Sequence, residues 1–218
     1  LVEDVLPWSS ARLPAGSVVR DVGPVCLAPS CVNAHTHLEL SHLAGKTLWG
    51  QGFVPWLRSL LPLLGKEPER APVQEACADM ASTGTLAVGN ITGSLPGGTR
   101  LVHACCREVG LAADQFCEWF GFGPLPPGEH VLWPPRCRAA VEDDPSLAAV
   151  SASAGHALYS TGAQILANAR RECARRGRVF SFHLAESPEE TQMLVNGSGP
   201  LRELYEGKVM PPDWAAPG

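Results

Sequence analysis

Short apolar runs, most of them ending on histidine or glutamate, alternate with stretches of helical period, and this alternation narrows the available folds more than any other feature of the chain. Strands separated by helices pair in parallel and need crossover connections. Five runs read as strands: Val32 to His37, Thr85 to Ile91, Leu101 to Glu108, Leu147 to Ser153 with an extension to His156, and Arg178 to Phe182. Helical spacing marks Phe53 to Leu64, with Trp56, Leu57, Leu60 and Leu61 on one face and Pro62 as a kink or stop. It also marks Ala71 to Ser82, Pro134 to Val141, and Thr161 to Arg176, which Gly177 closes. Ser187 opens a last helix, with Glu190 three residues on as a capping box. The fold class is therefore α/β with a parallel sheet. Four of the five strands carry His or Glu at their carboxyl ends, where barrel enzymes place their chemistry.

Composition excludes several classes. The 218 residues suit one domain or one and a half, and 45% hydrophobic with 18% charged residues is ordinary for a soluble globular chain. Net charge is -5, and the only basic cluster (Arg170, Arg171, Arg175, Arg176) reads as a solvated helix face, so nucleic-acid binding is unsupported. No apolar run approaches the ~20 residues that cross a bilayer, and Leu1-Val-Glu-Asp4 does not read as a signal peptide. The eight cysteines contain no C-x-x-C and fit buried, reduced thiols in a cytoplasmic protein.

The chemistry sits in three motifs. His35 and His37 are two apart on a strand, so both side chains face one side. His183 ends the fifth strand and can join them, and neutral imidazole is the commonest transition-metal ligand. Alone, His183 reads as a core histidine satisfied by backbone and Glu186 as a helix-entry carboxylate favoured by the dipole; beside the H-x-H, the ligand reading wins. Glu186 would then move protons for a metal-activated water. His156 either contacts substrate or is a structural histidine at a loop entry. Glu39 either binds a polar part of the substrate or anchors its loop. Glu108 is a weaker candidate at the end of the third strand. His42, His103 and His130 have bland readings as loop or strand residues. The fourth strand holds no lysine of the kind that bridges two metals, which favours one ion.

Together, Asn33-Ala-His-Thr-His-Leu-Glu-Leu-Ser41, His156-Ala-Leu-Tyr-Ser-Thr-Gly162 and His183-Leu-Ala-Glu-Ser-Pro-Glu-Glu190 resemble the amidohydrolase superfamily, in its chlorohydrolase and aminohydrolase branch. Leu38-Glu-Leu-Ser41 and Gly52-Phe-Val-Pro-Trp-Leu57 look most like aminodeoxyfutalosine deaminases. The resemblance implies a (β/α)8 TIM-type barrel, here strands one to five over residues 30–218, with residues 1–29 the remnant of a small N-terminal β-sandwich. It implies one divalent ion, zinc with iron as the alternative, held by His35, His37 and His183. Glu186 would be the proton shuttle, and His156 and Glu39 substrate-binding residues. The expected reaction is attack of metal-bound hydroxide on an amino-bearing heterocyclic carbon, deaminating an amino-purine-type nucleoside. A triazine-type chlorohydrolase is the alternative within the scaffold, and an inactive fragment or assembly partner the alternative outside it. The expected partner is a small-molecule substrate, with neither nucleic acid nor membrane and with a homo-oligomer compatible. The family also uses a histidine from strand six and an aspartate from strand eight, which this sequence does not contain; five units of the eight that occupy ~250 residues make it look partial.

Overall fold

A computed structural model describes residues 2–125 and 132–206. Four parallel strands form one sheet in the order β1-β2-β3-β4: β1 Cys31–Thr36, β2 Thr85–Thr92, β3 Ala112–Trp119 and β4 Ser151–Gly155. The connections carry α1 (Phe53–Leu60), α2 (Arg70–Ser82), α3 (Gly98–Glu108), α4 (Pro135–Asp143) and α5 (Pro145–Ala149), and α6 (Ala163–Arg175), α7 (Pro188–Asn196) and α8 (Pro200–Tyr205) follow β4. Because all four strands run the same way, their carboxyl ends line one rim of the sheet. The register sets Thr36 beside Asn90, Thr92 beside Cys117, and Trp119 beside Gly155.

The apolar faces of the helices close the core on the sheet. Val73 and Cys77 of α2 pack with Val102, Cys105 and Cys106 of α3 and with Val88 of β2. Val54, Leu57 and Leu60 of α1 pack instead with Leu201, Leu204 and Tyr205 of α8, roofing the rim. As Pro62 suggests, α1 gives way to a 3-10 turn at Leu61–Leu63. All eight cysteines are free thiols, six of them buried.

Three sequence expectations need correction. Leu101 to Glu108 is helix, not strand: Leu101, Val102, Cys105 and Cys106 recur at helical spacing, and Val102, Cys105 and Cys106 are buried. The true third strand, Ala-Ala-Asp-Gln-Phe-Cys-Glu-Trp, was disguised by three polar residues, of which Gln115 and Glu118 are buried. Arg178 to Phe182 lies beside β4 but forms no ladder. Gly155 N–H donates to Ser181 O (3.0 Å) and His183 N–H to His156 O (2.7 Å), with one parallel bridge between Ala157 and His183. Its Val179 and Phe182 stay exposed, so little burial reinforces the pairing. Residues 2–30 hold one 3-10 turn, Trp8–Ser10, and no strand. The fourth strand also begins later than its apolar run, because Pro145–Ala149 is a helical turn capped by Asp144.

Candidate active site

The segment after β1 is fixed by buried polar groups. Leu38 N–H donates to Asn90 Oδ1 (2.9 Å), and Asn90 Nδ2 donates to Gln115 Oε1 (2.8 Å), so two neighbouring strands hold the backbone beside His37. Glu39 is fully buried under the segment that follows β2. Its Oε2 accepts from Thr92 Oγ1 (2.8 Å) and Gly93 N–H (3.4 Å), and its Oε1 from Ser94 N–H (2.7 Å) and Leu95 N–H (3.1 Å). Burial raises its pKa, and these donors oppose the shift. Gly98 is required by this packing, because a Cβ there would lie 2.1 Å from Glu39 Oε2. Glu39 is thus a loop anchor with every acceptor direction used, and the expectation of substrate contact is corrected.

The three histidines do converge. One ring nitrogen from each of His35, His37 and His183 falls within a set whose members all lie within 4.8 Å of one another. His37 Nε2 and His183 Nε2 are 3.4 Å apart, and His37 Nδ1 is buried without a hydrogen-bond partner. Two imidazole nitrogens that face each other, with the third ring beside them, form a donor set that suits a divalent cation. Burial, then the charges of His183 and His35, lowers the His37 pKa to about 3, which keeps its ring in the neutral, ligating form. His35 is shifted the same way, first by burial and then by His183, and is exposed at the sheet edge.

His156 follows β4, and its Nδ1 pairs with Ser160 Oγ. Its ring centroid is 5.2 Å from that of His183, and burial, with the charges of His183 and His37, lowers its pKa to about 3. Ala185, with φ of 59°, occupies the left-handed region that β-carbon-bearing residues avoid. This turn between His183 and Glu186 lets both side chains border the same cavity. Glu190 Oε2 accepts from Glu186 N–H (2.7 Å), while Glu190 N–H donates to Ser187 Oγ (3.2 Å). The expected capping box is present with its return bond moved one residue upstream. Tyr159 O–H donates to Glu186 Oε2 (2.7 Å). The Tyr159 hydroxyl is pushed up by burial and by Glu186, so it stays a donor.

The cavity measures about 610 Å³. His37, His156, His183, Glu118 and Glu186 border one side, and Leu40, Phe53, Trp56 and Leu60 the other. A space of this size and mixed lining suits a small-molecule ligand. Glu118 and Tyr159 escaped the sequence reading. Glu118 was hidden by the misplaced third strand; the alternative drawn from that strand, Glu108, lies on the surface and pairs with Arg70. The only available signal was a glutamate closing the run after Gly110. Tyr159 lay within the His156 motif without a stated role. His42 is buried, its Nδ1 3.1 Å from Glu39 O, and His103 lies on α3 with Nε2 3.1 Å from Ser146 Oγ. His130 lies outside the described residues.

No protein-family model matches the chain. Among curated proteins it is 27% identical, over 196 residues, to a 5-methylthioadenosine/S-adenosylhomocysteine deaminase of Nitratidesulfovibrio vulgaris, covering 84% of this chain and 42% of that protein. Among solved structures it resembles Helicobacter pylori aminofutalosine deaminase in complex with methylthio-coformycin, with a TM-score of 0.64 and 23% identity over 82% of this chain and 42% of the other. It also resembles a zinc-bound adenosine deaminase of Xanthomonas campestris, with a TM-score of 0.54 and 18% identity over 81% and 41%. The chain spans less than half the length of these relatives. The chain is thus similar in sequence to a deaminase and shares the α/β fold of two others. No helix among the described residues is long and apolar enough to cross a membrane.

Proposed function

We propose that this cavity serves a metal-dependent deaminase of an amino-purine-type nucleoside, with residues 30–218 supplying the first five β/α units of a (β/α)8 barrel and residues 1–29 part of a small β domain. One observation carries the proposal: three imidazoles gather at the strand rim beside a carboxylate that borders the same cavity. His35, His37 and His183 would hold one divalent ion, zinc in preference to iron because a zinc-bound neighbour shares the fold. When bound, the ion supplies the Lewis acidity that lowers the pKa of water toward ~7.

The protein's own groups do the rest. Glu186 takes a proton from the attacking water and delivers it to the ring nitrogen or to the departing ammonia. Tyr159 holds one carboxylate oxygen of Glu186, so the other faces the substrate in a set orientation. His156, kept neutral by burial, donates to the charge that develops on the ring. The aliphatic wall excludes bulk water and seats the substituent remote from the reacting carbon. The free thiols suit the cytoplasm.

The test is ammonia release from aminopurine nucleosides by the zinc-loaded natural polypeptide that carries this sequence. The Glu186→Gln variant is expected to lose about 100-fold or more in kcat, the scale of a general acid-base group. Chloride release from halogenated triazines without ammonia release would assign the cavity to the chlorohydrolase reaction instead. Unimpaired turnover in Glu186→Gln would remove the proton-shuttle assignment.

A further inference from the structure

We propose that Glu118 is the positioning residue for His183, holding the proton on its Nδ1 so that Nε2 is free to bind a cation; this rests on the reading of His183 as a metal ligand. Glu118 is the penultimate residue of β3 and is buried. The strand end beside it is pinned by Trp119, whose indole N–H donates to Ser153 Oγ (2.8 Å). Its Oε1 lies 3.2 Å from His183 Nδ1. The carbonyl oxygen of His156 lies 3.3 Å from the same nitrogen.

A neutral imidazole has one N–H, and its position is set by the partners around each nitrogen. Nδ1 faces two acceptors, whereas Nε2 faces His37 Nε2 at 3.4 Å. The tautomer satisfying both sides carries the proton on Nδ1 and directs the Nε2 lone pair at the site where His35 and His37 converge. The N–H axis points at the His156 carbonyl, and Oε1 lies off that axis. Among the described residues Oε1 meets no hydrogen-bond donor of good geometry. A small rotation of the ring therefore exchanges one acceptor for the other without moving the proton to Nε2. The carbonyl contributes only a dipole. The carboxylate adds a negative charge in a dry setting, which makes Nε2 a stronger donor to a cation.

A rival geometry exists, because Glu118, His156 and His183 also form a cluster with ligand atoms within 4.8 Å. There Glu118 would be a ligand itself. Three measurements on the full chain separate these roles. Zinc affinity, measured by competition with a chromophoric chelator, is expected to fall about ten- to hundred-fold in both Glu118→Gln and Glu118→Ala. Circular dichroism should stay unchanged in the near-isosteric Glu118→Gln. The cobalt(II)-substituted protein should keep its visible band positions in Glu118→Gln. In the metal-free protein, at alkaline pH where the ring is neutral, nitrogen-15 imidazole spectra should show His183 protonated on Nδ1, drifting to a tautomer mixture in Glu118→Ala.

Zinc affinity within twofold of wild type in both variants would overturn the proposal. A band shift reporting a lost ligand, or a wild-type His183 protonated on Nε2, would do the same. Were the wild-type chain to bind no zinc, the metal reading would fail by itself. The metal-free spectra would still judge Glu118, since a tautomer unmoved by Glu118→Ala overturns the role and a mixture supports it.

Discussion

Two polar regions lie within a few residues of each other and differ in how their charges are satisfied. Around Glu39 four donors close on one carboxylate, and no oxygen faces the cavity. Around His37, His156 and His183 the side chains are only half-buried, a ring nitrogen is orphaned, two nitrogens confront each other, and the side chains border open space. A buried carboxylate supplied with donors joins loops together. Imidazoles left short of partners hold a site ready for something else. Proximity in sequence is no guide here, because Glu39 and His37 are two residues apart and serve different ends.

This contrast can be broken by mutating each side. The largest effect is expected for Glu39→Ala, which strips four donors of their acceptor and should cost about 3 kcal/mol or more of unfolding free energy. Urea titration checks it, and zinc affinity of the folded fraction should change by less than about threefold, since the Glu39 oxygens are bound by Thr92 and the segment after it and touch none of the three histidines. For His37→Ala the pattern reverses: zinc affinity falls about 100-fold, equivalent to about 2.7 kcal/mol. The metal-free chain should stay within about 1 kcal/mol of wild type, since an unsatisfied polar group leaves with the ring. Equal losses of stability in the two variants would erase the distinction between anchor and site.

The smallest expected effect sharpens the comparison through pH. His37 and His156 have folded pKa values lowered from 6.5 to about 3 by burial. Below pH 6.5 the unfolded chain takes up protons that these rings refuse in the folded state, so metal-free stability falls as pH drops from 7 toward 5. His183 works in the opposite sense. Its pKa is raised, because Glu118, Glu186 and the His156 carbonyl outweigh its burial, so its contribution is present at low pH and lost as pH rises through the folded value. His35 is lowered as well, so three imidazoles of the site against one give a net loss on acidification, and His37→Ala should flatten the slope. Urea midpoints that hold constant between pH 7 and 5 would contradict the neutral state assigned to both rings.

The sequence by itself settled what depends on local pattern and residue chemistry. The strand–helix alternation, the helices at 70–82 and 163–175 and the Ser187 cap follow from periodicity and capping, which act over a few residues. The H-x-H and the His183 to Glu186 spacing named most of the site, since strand alternation and a short turn leave few places for those side chains. Tertiary structure decided the rest. Leu101 to Glu108 carries apolar residues that suit either element over a short window, and packing of its helical face on α2 selects the helix. The strand that replaced it carried polar residues into the interior, where Asn90 and Gln115 satisfy each other across two strands. That shift brought Glu118 to His183, and the fates of Glu39 and Glu118 were fixed by which donors the fold set around each, a matter of long-range contact that no spacing along the chain encodes.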